Sequence, residues 1–365
     1  MIYLLLIIYS VFFLYLIRLK SNNFLSFFVY FFPIFVLLNL ILGLQEGVGT
    51  DYNSYLFLAD ASSDNSIFFD KGEYLFHFLL YISRLLDNPQ AIFFFSALIQ
   101  TYFFVLIIFE IKKNGFKLYQ VMFLFFSLNL LFFNQFNGIR QYIAVYIVVY
   151  ALVILPHRKS YKFIFLILFS SLFHKSSIFF IIFIFLKNLL CRRFSKKIIF
   201  ILIFLVASLY FTNLATLLNK ILLFIPSYQN YIGIDYLNKL SFAGVLTKLL
   251  KLWVVIISMY LIDEQSLDKK YIYLVNLSYL AILLMVFSFS SGILWRFYQY
   301  LDFFIAIPVL LLFNKKKYVN LSILISIYLI FILIFKIIIF PTGEYKYNSI
   351  LMMHNILVES NLIIL

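Results

Sequence analysis

The sequence predicts an all-α fold, a polytopic transmembrane helical bundle. Hydrophobic residues occupy 65% of its 365 positions and charged residues only 12%, a balance far from that of soluble domains. Apolar runs of about twenty residues, the length that crosses a bilayer as a helix, follow one another along the chain. These runs are continuous, whereas a membrane-spanning β-barrel needs alternation. We therefore expect one integral membrane domain over residues 1–365.

About ten apolar segments are long enough to span the membrane as helices. In chain order they are residues 2–17, 24–43, 91–109, 118–133, 139–155, 198–213, 244–262, 271–289, 293–313 and 318–340. The first segment lacks the basic start and the small-residue cleavage site of a signal peptide, so we expect it to remain as a membrane helix.

Two shorter apolar stretches are predicted to enter the membrane without crossing it. Residues 44–90 form an outer acidic loop that ends in a short amphipathic helix, 74–86, which we expect at the interface. Glu73 and His77 are four residues apart and share a face there. They either line a substrate groove or simply face water, and we favour the second. Residues 161–190 divide into two half-length pieces, which we interpret as a re-entrant helix pair.

The charged residues predict how the chain is oriented. The formal net charge is +14, and short cytoplasmic loops usually carry such an excess of Lys and Arg. Every basic cluster falls on one side if 74–86 does not cross and 161–190 returns to the side it entered. These clusters lie at residues 18–20, 112–117, 158–162, 187–197, 269–270 and 315–317. Both termini and the acidic loop then face outward. A crossing 74–86 would place the cluster 112–117 outside, so we disfavour it.

The same composition argues against several partners. The cations follow membrane topology, so nucleic acid is not expected as a partner. The single Cys191 permits no intramolecular disulfide, and the four histidines lack the spacing of metal ligands. We therefore expect neither a metal nor another cofactor.

Four polar motifs on the predicted outer side are candidates for chemistry. The first is the loop 47–52 with Tyr55, in which glycines allow a tight turn and Asp51 stands beside phenols. Asp51 can act as a general base toward a hydroxyl group, assisted by Tyr52 or Tyr55. The alternative is a solvated aspartate that caps a short helix.

The second motif, residues 137–141, opens the segment 139–155 at its outer end. Arg140 presents a planar fork of donors that fits a phosphate group, and Gln141 adds amide donors. The alternative is an arginine that extends to the lipid headgroups. The rarity of Arg in short outward loops disfavours it.

The third motif is His174-Lys175, between the two halves of the segment 161–190. A helix break at membrane depth is tolerated where its backbone is buried in protein or lines a cavity. Ionisable groups at that depth are costly, so we interpret His174 as functional rather than as an ordinary buried histidine.

The fourth motif is the stretch 290–302, which contains Trp295-Arg296. Arg296 and Tyr300 are four residues apart and share a helical face. Asp302 is poorly aligned with Arg296, and we expect it to pair with a cation on another helix.

These four motifs, in this order, resemble the EpsG-like branch of the Wzy-type polysaccharide polymerases. The matching sequences lie between about Gln45 and Tyr347. They are Gly49-Thr50-Asp51-Tyr52 with Tyr55, Ile139-Arg140-Gln141 with Ala144, Leu172-Phe173-His174-Lys175-Ser176, and Arg296 with Tyr300. The chain lacks the large outer loop that some Wzy proteins have.

The resemblance implies a metal-independent, glycosyltransferase-like polymerase at the outer face of the bacterial inner membrane. It would transfer a growing glycan from undecaprenyl pyrophosphate onto the next lipid-linked repeat unit, forming O-antigen, capsule or exopolysaccharide. Membrane lipid and a chain-length regulator protein are its further expected partners. Because a diphosphate leaving group needs cations, Arg140, His174 and Arg296 are the expected catalytic residues, with Asp51 as base. The expected substrate contacts are Thr50, Tyr52, Tyr55, Glu73, Gln141, Lys175 and Tyr300.

Other functions make different demands on the sequence. A transporter or flippase for lipid-linked oligosaccharide needs polar residues along a path to both faces, and inverted repeats would favour it. A membrane acyltransferase needs a constellation such as Ser-His-Asp. The sequence shows neither the repeats nor that constellation, and a structural scaffold would not explain so many ionisable groups at one level.

Overall fold

The computed structural model describes residues 1–17, 23–60, 62–64, 66–129, 131–157, 160–212, 242–263, 265, 267–339 and 343–351. Within these ranges the regular structure is helical, and the β interaction is an isolated antiparallel bridge between Gln45 and Ser349. The predicted all-α fold is therefore confirmed. The basic cluster 18–20 and residues 213–241, which include the stretch 227–239 expected on the outer side, lie outside the described residues.

The chain divides into two compact units. The first comprises Met1–Ile154, Lys159–Ile181 and Ile330–Leu365, and the second comprises Leu155–Arg158 and Ile182–Leu329. The α-helices of the first unit are α1 (Ile2–Ile17), α2 (Phe24–Gly43), α3 (Tyr52–Ala59), α4 (Ser66–Asp70), α5 (Tyr74–Leu85), α6 (Ala91–Lys113), α7 (Leu118–Ser127), α8 (Leu131–Asn134), α9 (Ile139–Ile154) and α10 (Ser160–Ser171). Those that begin in the second unit are α11 (Phe183–Leu190), α12 (Lys196–Ser208), α13 (Phe242–Leu261), α14 (Lys269–Phe287), α15 (Gly292–Gln299), α16 (Ala306–Phe313) and α17 (Val319–Ile334).

Several of these helices are apolar enough for a multi-pass membrane protein. Among the described residues, four helical stretches have both the length and the hydropathy of a span: α2, α6, α14 and Lys316–Ile339. Shorter apolar helices accompany them, namely α1, α7, α9, α10 and the stretch Asp302–Phe313. The prediction of about ten spans is thus confirmed only in part.

Two predicted spans are interrupted in the structure. The segment 118–133 becomes α7 and α8, and the segment 293–313 becomes α15, a 3-10 helix and α16. A buried polar side chain lies at each interruption, Asn129 in the first and Asp302 in the second. Short polar side chains compete for backbone hydrogen bonds, which favours such breaks.

The stretch 161–190 is divided at His174, as its sequence predicts. Helix α10 ends at Ser171, and a 3-10 helix, Lys175–Ile182, follows. The Leu172 carbonyl, freed by the break, accepts hydrogen bonds from the N–H groups of Leu75 at 3.0 Å and Phe76 at 3.4 Å. The first N–H groups of a helix lack acceptors within that helix. The carbonyl at the break therefore supplies the acceptor that the start of α5 needs, and α5 supplies the donors for that carbonyl. The re-entrant path of this stretch stays a prediction.

The core of the first unit holds the first turn of α9 in place. Helix α6 packs against both α2 and α9, and α10 packs against α9. Residues 142–149 of α9 are all buried. Gln100 of α6 donates a hydrogen bond to the Ile139 carbonyl at 3.0 Å, which fixes the first turn of α9. The residue after Ile139 is Arg140, so that side chain starts from a rigid backbone.

Candidate active site

The loop that carries Asp51 is attached to the start of α9 by Asn137. The side-chain oxygen of Asn137 accepts the N–H of Asp51 at 2.8 Å and lies 3.1 Å from the Thr50 hydroxyl. Gly49 has a φ of +80°, and a Cβ there would lie 2.9 Å from that same oxygen. A glycine is therefore required for this close approach. The first two sequence motifs form one local structure.

Asp51 occupies the N-cap position of α3, yet its side chain makes no capping hydrogen bond. Its carboxylate is half-buried and lies 3.2 Å from the Thr50 hydroxyl. The sequence-based alternative, an aspartate whose carboxylate caps this helix, is therefore not what the structure contains. The role of Asp51 as a base stays a prediction.

Glu73 joins the second and third motifs. Its side chain is buried, with only 2% of the residue exposed. One carboxylate oxygen forms an ion pair with the Arg140 guanidinium. The other lies 3.1 Å from Nδ1 of His174 and accepts the backbone N–H of Lys175 at 3.0 Å. We call Glu73, Arg140, His174 and Lys175 the Glu73 cluster. Glu73 therefore does not face water at the interface, which corrects our preferred interpretation of this residue.

The protonation state of Glu73 follows from these contacts. Burial alone would raise the pKa of its carboxyl group, but the His174 hydrogen bond, the Arg140 charge and the Lys175 N–H outweigh burial. The pKa of Glu73 therefore lies below its ordinary value, and the group is ionised at neutral pH. An ionised carboxylate only accepts hydrogen bonds, so Nδ1 of His174 carries a proton.

The Arg140 side chain is held on two sides. Its guanidinium carbon lies 4.9 Å from the centre of the Phe68 ring and 5.7 Å from that of Phe76, besides the ion pair with Glu73. Such cation–π contacts orient a guanidinium plane. Arg140 thus does not extend toward lipid headgroups, the alternative considered from its sequence. Gln141, the next residue, is half-buried.

The two phenols near Asp51 are donors rather than bases. Burial is the main reason that the pKa of Tyr52 rises to about 12, and the nearby Glu46 adds to it. Burial also raises the pKa of Tyr55 to about 12, against the opposing charge of Arg140. The Tyr52 hydroxyl donates to Gln90 at 2.8 Å. A protonated phenol can still donate a hydrogen bond, so the role of these tyrosines beside Asp51 stays a prediction.

Lys175 contributes its backbone to the Glu73 cluster and its side chain to the protein surface. The lysine is exposed, and a Cβ at Gly72 would lie 3.1 Å from its ammonium nitrogen. The ammonium therefore lies beside the loop that leads into Glu73.

The remaining predicted residues, Arg296 and Tyr300, belong to the second unit. Tyr300 follows α15 and is fully buried, whereas Arg296 is partly exposed. Within this unit the Lys248 ammonium lies 3.4 Å from the centre of the Trp295 ring. Asp302, expected to pair with a cation, accepts a hydrogen bond from the Tyr298 hydroxyl, one turn earlier.

The comparison with known protein families covers all four motifs. The model of the EpsG family matches residues 28–351. The chain belongs to the EpsG family. This is the family of Wzy-like polymerases, glycosyltransferase-like membrane proteins, so the resemblance stated from the motifs is confirmed. No curated protein and no solved structure matches the chain significantly.

The roles of some residues at this site were not anticipated from the sequence. Asn137, which belongs to the second motif, links the Asp51 loop to α9, and Phe68 and Phe76 hold the Arg140 guanidinium. Gln90 donates to the carbonyls of Gly43 and Gln45 and so anchors the start of the acidic loop. An Asn-Gly pair directly before a helix is a signal that could have identified Asn137. The two phenylalanines have no such signal in a chain so rich in aromatic residues.

Proposed function

We propose that this EpsG-family protein polymerises undecaprenyl-pyrophosphate-linked oligosaccharide repeat units into a surface polysaccharide. The reaction would take place at the outer face of the bacterial inner membrane, without a metal ion. The observation that carries the proposal is the Glu73 cluster, a buried carboxylate that orients a guanidinium and an imidazole. Asn137 attaches the Asp51 loop to α9, whose first turn contains Arg140.

The proposed chemistry is a displacement at an anomeric carbon. The acceptor hydroxyl loses its proton to Asp51 and forms the new C–O bond, while the bond from the anomeric carbon to the diphosphate oxygen breaks. The lipid diphosphate leaves with the electron pair of that bond. Arg140 has five N–H donors in a planar fork, so it can contact a phosphate while Glu73 keeps it oriented. His174 and Lys175 assist there.

Arg296 is proposed to contact the same diphosphate from the second unit. Developing negative charge on two phosphates is stabilised better by several fixed cations than by one. Tyr300 and Gln141 are proposed as further substrate contacts, and a chain-length regulator protein as a partner. These assignments extend the Glu73 cluster to the full set of residues that the family motifs contain.

An apolar cavity offers a place for the lipid part of the substrate. It has a volume of about 350 Å³ and lies between α1 and α2, where Leu5, Leu6, Leu40 and Leu44 line it. Leu44 directly precedes the acidic loop that leads to Asp51. We propose that a prenyl chain lies here, because burial of methylene groups is favourable by about 0.8 kcal/mol for each group.

The proposal is tested with purified protein in liposomes that contain lipid-linked repeat units. A ladder of products that grow by one repeat unit is expected, and products that never exceed one unit would reject the polymerase. Movement of the lipid-linked unit across the bilayer without growth would instead identify a flippase. Arg84→Lys is a matched control, because Arg84 lies on α5 and contacts the backbone carbonyls of Leu58 and Ser63.

A further inference from the structure

A second cavity lies at the other end of α6 from the candidate site. It has a volume of about 600 Å³, within the usual range of ligand sites. Its walls come from the end of α1, the end of α6 and the start of α7, and include Tyr15, Lys112, Gly115, Phe116, Lys117 and Tyr119. Gln100 of α6 contacts the residue before Arg140, and Lys112 follows twelve residues later on the same helix, about 18 Å away. The cavity is therefore separate from the Glu73 cluster.

The lysines of the α6–α7 connection are arranged unequally around this cavity. Lys112 and Lys117 line it, and none of the described residues that line it is acidic. Lys113 is instead paired with Glu110 at 3.0 Å and lies 4.0 Å from the centre of the Phe109 ring. Membrane topology explains why lysines occur in this connection. It does not explain why two of them border a cavity.

The other walls suit a molecule that is part polar and part apolar. Tyr15 and Tyr119 meet edge to face with ring centres 5.3 Å apart, and Tyr15 is 48% exposed. Tyrosines of this kind are typical of the headgroup level of a membrane. Leu14 and Leu118 continue the wall toward the apolar helices. Basic pockets between membrane helices on the cytoplasmic side bind the headgroups of anionic lipids.

We propose that this cavity binds the headgroup of an anionic phospholipid of the cytoplasmic leaflet. Lys112 and Lys117 contact the phosphate diester, and the tyrosines flank the headgroup. The acyl chains lie along the apolar surfaces of α1 and α7. The site is independent of the proposed polymerase activity, since it requires neither the Glu73 cluster nor a glycan.

The test measures how phosphatidylglycerol stabilises the full-length protein in a zwitterionic detergent against heat. Lipid binding is followed in the same samples by native mass spectrometry. Each lysine near an anionic headgroup contributes about five-fold in affinity, so Lys112→Gln and Lys117→Gln should each weaken binding by that factor, and the double variant about 30-fold. Lys113→Gln, the matched control, should bind as the wild type does. Phosphatidylcholine and inorganic phosphate should not stabilise any of these proteins.

Three results would overturn the proposal. The first is a double variant that binds phosphatidylglycerol as tightly as the wild type. The second is an equal loss in Lys113→Gln, which would indicate a general effect of charge. The third is equal stabilisation by inorganic phosphate, which would identify a free anion rather than a lipid as the ligand. The single variants keep the test valid if the double variant does not fold.

Discussion

At the scale of single residues, Glu73 determines how the cations of the candidate site are presented. It contacts Arg140, 67 positions along the chain, and His174, 101 positions along it. Both of its oxygens are engaged and its side chain is buried. In the proposed mechanism Glu73 is a positioning residue, and Arg140 is the group that touches the substrate. This differs from the direct substrate contact expected of Glu73.

The first prediction concerns Arg140→Lys. An ammonium group can still pair with Glu73, so the variant should fold, but it cannot reproduce a bidentate phosphate contact. We expect polymerisation to slow by about 100-fold, the usual effect of removing one fixed donor from a developing charge. The measurement compares the rate of polymer ladder formation by this variant with that of the control Arg84→Lys, which should stay active. Near-normal polymer from Arg140→Lys would contradict a phosphate-binding role.

The second prediction compares two glycines of the acidic loop. Gly49→Ala places a Cβ 2.9 Å from the Asn137 oxygen at a φ of +80°. It should destabilise the protein by about 2–3 kcal/mol through the clash and the backbone strain together. Gly47 has a φ of +61°, and apart from its chain neighbours no atom of the described residues lies within 4 Å of its Cβ position. Gly47→Ala should therefore cost only about 1 kcal/mol. Equal thermal shifts in the two variants would show that Asn137 does not constrain the loop.

At the scale of elements, the helix break at residues 172–174 and the start of α5 form one junction. The Leu172 carbonyl receives the first N–H groups of α5, and Glu73, which precedes α5, receives the N–H of Lys175 after the break. Each segment thus supplies what the other lacks. The Glu73 cluster is consequently held by two helix ends rather than by a flexible loop.

The third prediction tests this junction through pH. Because the pKa of Glu73 is lowered in the fold from its ordinary value of 4.5, its ion pair stabilises the protein above that value. The stabilisation is lost as the pH falls through the folded pKa. Glu73→Gln should therefore be less stable than the wild type by about 2–3 kcal/mol at pH 7, since Arg140 loses its partner. The difference in melting temperature should shrink as the pH falls below about 4. A difference that stays constant with pH would argue against an ionised Glu73.

At the scale of the whole molecule, composition and hydropathy were sufficient to predict the all-α membrane fold and the break near His174. They were not sufficient to predict the interruptions near Asn129 and Asp302. A polar residue within an apolar run looks the same in the sequence whether the helix continues past it or ends there. The exposure of Glu73 was predicted wrongly, because the spacing argument assumes that both residues lie on one helix. Glu73 instead precedes the first turn of α5. Its partners, far away in sequence, have no local pattern.

The whole-molecule account requires Arg140 and Arg296 to face the same compartment, where one lipid diphosphate can meet both. The direct measurement uses Arg140→Cys and Arg296→Cys, each with Cys191→Ser, in membrane vesicles of known orientation treated with a membrane-impermeant maleimide. The account predicts that both cysteines react in right-side-out vesicles and that neither reacts in inside-out vesicles. Labelling of the two cysteines from opposite sides would contradict it.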